Sequence, residues 1–194
     1  LVGIVLSVLT FWLFAQSVIN VVPAMKSSLD ISLETLTLAV SLSALFSGCF
    51  VVASGGLADK FGRMRMSTLG LGLSIAGSAM LVLAQGPGLF LAGRVLQGLS
   101  AACIMPATLA LIKTWYEGRA RQRAVSFWVI GSWGGSGLCS FVGGAIATGL
   151  GWRWIFVFSI AVALLALFLL RGTPESRSAS ASQHKLDVGG LLSL

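Results

Sequence analysis

Of the 194 residues, 56% are hydrophobic, only 10% are charged and 24 are glycine. Uncharged runs of about 20 residues, the length that crosses a bilayer, recur along the chain and exclude an ordinary soluble domain. The formal net charge of +7 is spread over short loops rather than gathered on one face or tail, so it reads as membrane topology and not as nucleic-acid binding.

The spans in order predict six helices and the start of a seventh. Helix 1 is expected over Leu1–Ala24, stopped near Pro23 and Lys26, and helix 2 over Glu34–Ser54. A charged turn, Gly55 to Arg65, leads into helix 3 over Met66–Ala84. Gly86-Pro87-Gly88 reads as a tight turn. Helix 4 follows over Leu89–Ile112, helix 5 over Ala124–Ala147 and helix 6 over Trp152–Leu170. Residues 1–171 thus form a six-helix membrane bundle, and the serine-rich stretch 172–186 has linker composition. Asp187 looks like the cap of a further helix, begun at 187–194 and cut short. The first run lacks a basic leader and five spans follow it, so it is not expected to be a removable signal peptide.

Ten of the 13 basic residues fall in one set of loops: Lys60, Arg63, Arg65, Lys113, Arg119, Arg121, Arg123, Arg171, Arg177 and Lys185. The opposite loops hold Lys26 and Arg153, and Arg94 lies within helix 4. Positive loops stay in the cytoplasm, so both ends of this piece are expected to be cytoplasmic, in a multi-pass protein of the plasma (inner) membrane. Trp115 and Tyr116 close helix 4 on the inner side, and Trp152 and Trp154 open helix 6 on the outer side.

Cys49, Cys103 and Cys139 all lie in apolar runs without metal-ligand spacing and read as small packing residues. With His184 the one histidine, and that in a polar tail, neither a histidine metal site nor a catalytic triad is available. No cofactor and no metal are expected.

The turn Gly55-Gly56-Leu57-Ala58-Asp59-Lys60-Phe61-Gly62-Arg63-Met64-Arg65 places two helices in antiparallel contact. Its bland reading is a positive loop with a surface ion pair worth well under about 1 kcal/mol. The spacing G-x-L-A-D-K-x-G-R-x-R resembles the signature between the second and third helices of the major facilitator superfamily. The resemblance implies a fold of two three-helix repeats making the N-terminal six-helix bundle. It also implies that Gly55, Asp59, Lys60, Gly62, Arg63 and Arg65 serve as a conformational switch or gate, with Asp59 as a latch. Met64 stands where the family often has a basic residue.

In helix 4, Arg94 lies one to two turns below the outer surface, where a buried charge costs from about 2.5 kcal/mol upward. Gln97, Gly98, Ala101, Met105 and Thr108 share its helical face. Snorkelling to the interface is one reading. The other is proton coupling, because Arg94-x-x-Gln97-Gly98 resembles the fourth-helix signature of proton-coupled members. In helix 5, Gly131, Gly135, Cys139, Gly143 and Ala147 recur at every fourth residue, a small-residue stripe for close packing. With Gly144 it overlays the family's antiporter signature, except that Cys139-Ser140 replaces Gly-Pro and loses the expected kink.

In helix 1, Trp12, Gln16 and Asn20 share a face. Polar groups there must avoid lipid, by bonding to other helices or by lining a substrate cavity together with Trp133. The six acids, Asp30, Glu34, Asp59, Glu117, Glu175 and Asp187, leave none deep in a span. The coupling carboxylate is therefore Glu34 or lies outside this sequence.

Taken together, the motifs and the whole run of the chain resemble the 14-span drug:proton antiporter branch of the superfamily. The resemblance implies the N-terminal half of a proton-driven exporter of small amphipathic drugs, dyes or biocides, a monomer when full length, working by alternating access. An importer of a sugar or organic ion on the same fold is the alternative, and no constellation here indicates an enzyme. The topology gives a first prediction. In the full-length protein in cells, single cysteines at 60–65 or 117–122 should react with impermeant thiol reagents only from the cytoplasm. Those near Ser28 or Gly86 should react only from outside, and external labelling of 60–65 would reverse the orientation.

Overall fold

With no water to satisfy backbone N–H and C=O groups in a bilayer, a spanning segment must bond to itself, and a helix does so locally. The computed structural model describes residues 1–29 and 31–176, and all regular structure among them is helical. The elements are α1 (Val2–Leu29), α2 (Leu33–Phe61), α3 (Arg63–Val82), α4 (Pro87–Trp115), α5 (Gly118–Val129), a π-helical turn (Ile130–Gly134), α6 (Gly135–Gly149) and α7 (Arg153–Leu170). α5, the π turn and α6 form one continuous rod, so the described residues make six spans. Five of these rods are long and apolar enough to cross a membrane. The remaining one, α1, has 28 residues, about 42 Å at 1.5 Å per residue. This is a multi-pass membrane protein.

Several expected boundaries move. α1 continues past Pro23 and Lys26 to Leu29; a proline removes one hydrogen bond, which a buried membrane helix tolerates. The largest difference is at the charged turn. Residues 55–61 are the last turns of α2, and α3 begins at Arg63, so the break is Gly62 alone. Gly62 has φ 124°, a conformation that side chains rarely adopt, and its N–H closes α2 on the Ala58 carbonyl at 3.0 Å.

At the other ends the sequence acts more conventionally. Ser32 caps α2 by accepting from the Thr35 N–H at 3.2 Å. Pro87 sits in the first turn of α4, where its missing N–H costs nothing. α5 starts at Gly118 rather than at Ala124, because Arg119–Arg123 extend the helix beyond the apolar run. Where a Gly-Pro kink was expected to be lost, the fifth span widens into a π turn instead, one turn before Cys139. The expected helix at 187–194 and most of the 172–186 linker lie outside the described residues.

α4 is the central rod, with α2 and α3 packed against it; α7 packs on α3 and α1, and α1 on the fifth span. Glycine makes the closest contacts possible. A Cβ on Gly77 would stand 2.9 Å from the Gly93 carbonyl, one on Gly93 3.0 Å from the Gly77 carbonyl, and one on Gly98 2.5 Å from the Ser43 carbonyl. The backbones of α3 and α4, and of α2 and α4, therefore meet with nothing between them. Cys103 and Cys139 are buried as packing residues, but Cys49 is exposed on α2, contrary to expectation, because its row on that helix faces away from α4.

The second prediction follows from this spacing. Gly98→Val should destabilise the full-length protein by about 1–3 kcal/mol or more, since a backbone carbonyl cannot yield as a side chain can. Gly72→Ala, where open space awaits the methyl group, should change stability by less than about 0.5 kcal/mol. Thermal unfolding in detergent measures both.

Candidate functional site

Arg94 is the largest fully buried side chain among the described residues, with 1% exposure. A guanidinium removed from water needs acceptors for its forked donors, and the neighbouring helices supply them. Nε donates to the Ala39 carbonyl at 3.4 Å and NH2 to Ser43 Oγ at 2.7 Å, both on α2. NH1 donates to Gln97 Oε1 at 2.8 Å, and Gln97 Nε2 in turn donates to Ser78 Oγ on α3 at 3.2 Å. One polar chain, Ser43–Arg94–Gln97–Ser78, thus crosses α2, α4 and α3. The side chain ends inside the bundle and does not snorkel.

Beside this chain lies a hollow of about 420 Å³ between α1, α2 and α4. Phe11, Trp12, Ala15, Val40 and Ala44 give it an apolar wall, and Ser43, Ser47 and Arg94 give it a polar corner. Trp12 stacks edge-on against Phe11 at 5.0 Å and lies 6.2 Å from the ring of Trp133. The Trp12 Nε1 atom is buried with no hydrogen-bond acceptor among the described residues. Trp133 is 73% exposed and does not line the hollow. Gln16 and Asn20 belong to α1, but their side chains lie outside what is described. A larger hollow of about 640 Å³ sits on the outward face of α5, lined by Arg119, Gln122, Arg123 and Phe127, away from Arg94.

The basic end holds a second polar group. Arg63 donates to Asp59 Oδ1 from Nε at 2.9 Å and from NH2 at 2.7 Å. Its NH1 reaches α4, donating to Thr114 Oγ1 and, at 3.4 Å, to the Ala110 carbonyl. Arg63 therefore ties the end of α2 to the end of α4 across the Gly62 break. Lys60 is exposed and joins no ion pair among the described residues, and its ammonium lies 5.8 Å from the Phe61 ring. Arg65 is also exposed, with Nε 3.8 Å from Glu175 Oε2. Gly55 adjoins Pro106 of α4, where a Cβ would make ordinary contact at 3.5 Å.

On the fifth span the small-residue stripe faces α1. A Cβ at Gly131 would stand 2.9 Å from Val5, and one at Gly135 2.6 Å from Leu9. Cys139 and Gly143 are buried on the same side. Gly144 departs from the stripe: open space lies where its Cβ would be, because it is one residue, about 100°, off the packed row. Glu34 is exposed in the first turn of α2 and is not brought to Arg94. Among the described residues no group of acids, histidines and cysteines could hold a metal.

Sequence reasoning missed Ser43, Ser78, Glu175 and Arg153. Serines on helices carry no signal until their facing neighbours are known. Glu175 acts on residues 110 and 111 positions away, and Arg153 on carbonyls at the end of α3, so neither role has a local motif.

Residues 2–192 match the family model described as Major Facilitator Superfamily. The chain is 59% identical over all 194 residues to quinolone resistance protein NorB of Staphylococcus aureus, from strain JH9 and likewise from strain Newman. It spans 42% of the length of these relatives. Among solved structures, a proton:xylose symporter, XylE, aligns with TM-score 0.79 and 18% identity, covering 98% of this chain and 48% of that one. A peptide transporter, POT, in complex with alafosfalin aligns with TM-score 0.78 and 18% identity, covering 94% and 39%. At such identities these two show the fold.

The third prediction concerns the polar chain. Arg94→Lys replaces a fork that serves α2 and α4 together with one point charge, and should cost about 1.5–3 kcal/mol of stability. Ser43→Ala added to Arg94→Lys should cost much less than Ser43→Ala alone, because its donor is already gone. Thermal unfolding of the four full-length proteins completes the cycle; additive losses would mean that the two side chains are not coupled.

Proposed function

The chain belongs to the major facilitator superfamily, and on that premise we propose that it is the N-terminal half of a secondary exporter of small amphipathic drugs, of which quinolones are the leading class. What carries the reading is the 59% identity with a quinolone resistance protein across the full length of this chain. In this reading the apolar, aromatic wall beside Arg94 takes the body of the drug. The missing part of the protein closes the pathway from the other side, and the two parts rock to alternate access. Both ends of this half are cytoplasmic, as the basic loops suggest, and the bilayer is its solvent.

Inward proton flow drives export. Arg94 is held by Ser43 and Gln97 beside the hollow, placed to respond when a nearby group gains or loses a proton. Among the described residues no acid occupies a deep position, so in this reading the coupling carboxylate belongs to the other half or is Glu34. Arg63 and Asp59 form the latch at the cytoplasmic end. The family transports rather than transforms its substrates, and no bound cofactor enters this scheme.

The test is transport by the full-length protein in proteoliposomes, with and without an imposed pH gradient. The unmodified protein should expel a fluoroquinolone or a cationic dye faster when the gradient is present; accumulation of a sugar or organic ion instead would replace this reading with the importer. The fourth prediction uses two variants. Arg94→Lys should lose most gradient-driven export while downhill exchange suffers less. Asp59→Asn should keep drug affinity but slow turnover by more than about tenfold, the equivalent of one partly buried charged hydrogen bond of about 1.5–3 kcal/mol. Normal turnover in Asp59→Asn would leave the ion pair a surface feature.

A further inference from the structure

Glycine weakens a helix interior relative to alanine, and the buried glycines of this bundle offset that through close contact. A Cβ on Gly77, Gly93, Gly98, Gly131 or Gly135 would stand only 2.5–2.9 Å from a neighbouring helix. Gly48, close to the middle of α2, is different. It lies in ordinary helix, it is exposed, and a Cβ there would meet no atom within 4 Å. Among the described residues neither a positive φ nor a helix contact requires glycine at this position.

What lies in front of Gly48 is the hollow beside Arg94, and Gly48 forms part of its wall. Val40, Ala44 and Gly48 all line it, and they recur at every fourth residue, so they make one strip along α2. Along that strip the side chain falls from a branched group to a methyl group to none. Phe11 and Trp12 line the same hollow from α1. The space between aromatic wall and bare strip is about 420 Å³, near the lower end of the roughly 300–1,000 Å³ usual for drug-sized ligands. In so small a hollow one added side chain removes a large share of the room. Gly72, Gly137 and Gly144 also have open space before them but do not line this hollow.

We propose that Gly48 is a specificity-determining residue: the absent side chain admits the broad end of a fused-ring drug, and size at this position decides which amphipathic molecules enter. Ser43 and Arg94 make the polar corner, and Gly48 lies five residues along α2 from Ser43, about 7.5 Å at 1.5 Å per residue. A drug whose polar group meets that corner lays its ring body over Ala44 and reaches Gly48. The middle of a span is also where carriers with two rocking parts place their substrate. Gly48 opens into a recess between two helices, aromatic on one side and polar at one corner, which fits a ring system better than a helix of the missing half. The size limit rests on the reading that this hollow holds the drug; the open space at position 48 does not.

The experiment has two arms on the full-length protein. The first compares the unmodified protein with Gly48→Ala and Gly48→Leu for affinity and turnover of two fluoroquinolones that share one bicyclic core, one with a compact amine substituent and one with a bulky one. Gly48→Ala should change either drug by less than about twofold. Gly48→Leu should weaken the bulky drug at least about tenfold and the compact one less than about threefold, with thermal unfolding unchanged. Equal losses for both drugs, no loss for either, or a lowered unfolding temperature would overturn the proposal. In the second arm Gly48→Cys, in a background otherwise free of cysteine, should react with N-ethylmaleimide, and the bulky quinolone at saturation should slow that reaction severalfold. An unreactive thiol would mean that the missing half covers position 48, and the proposal fails. Reaction at position 48 by a protein that binds neither quinolone would overturn the export reading while establishing the open recess.

Discussion

A guanidinium buried within a membrane helix must be surrounded by acceptors or it is not tolerated. Arg94 satisfies that demand with the Ala39 carbonyl and Ser43 of α2 and with Gln97 of its own helix. Such bonds require α2 to lie close against α4, and only a residue without a Cβ at 98 permits the approach, since Ser43 already fills the space. Ser78 extends the same requirement to α3, where Gly77 and Gly93 let the backbones meet. The burial of one charge and the small residues of three helices are a single constraint seen from two sides.

The basic end follows a different rule, because its charges act on helix ends. Asp59 sits in the last turn of α2, where a negative charge opposes the dipole, and Arg63 compensates by donating twice to it. Glu175 at the start of α3 and Arg153 at its finish have the favourable sign. The α3–α7 pair is therefore electrostatically satisfied, while the end of α2 depends on one shared arginine.

The hollow between α1, α2 and α4 is shaped by both groups. Arg94 gives it one polar corner, and the packed stripe on the fifth span presses α1 into place through Val5 and Leu9, so that Phe11 and Trp12 form its wall. An apolar wall with a single fixed cation suits molecules with a ring system and a small polar or charged group.

What the sequence determined by itself was everything governed by local composition. Uncharged runs of bilayer length announce spans whatever surrounds them, and the order of basic and neutral loops announces which ends belong together. The G-x-L-A-D-K-x-G-R-x-R run and Arg94-x-x-Gln97-Gly98 were legible because their residues are close neighbours on a helix or across one break. Even there the length of the turn was misjudged: nothing local distinguishes a loop at 55–61 from helix, and the break contracted to Gly62. Tertiary structure decided the rest. Which side of α2 meets α4, and so why Ser43 matters and Cys49 does not, depends on helix rotation, which the weak amphipathicity of a membrane helix leaves unspecified. Glu175 and Arg153 found their roles only when α7 came to lie antiparallel to α3, because a helix end offers its open amides and carbonyls to whatever charge the fold brings within about 3 Å.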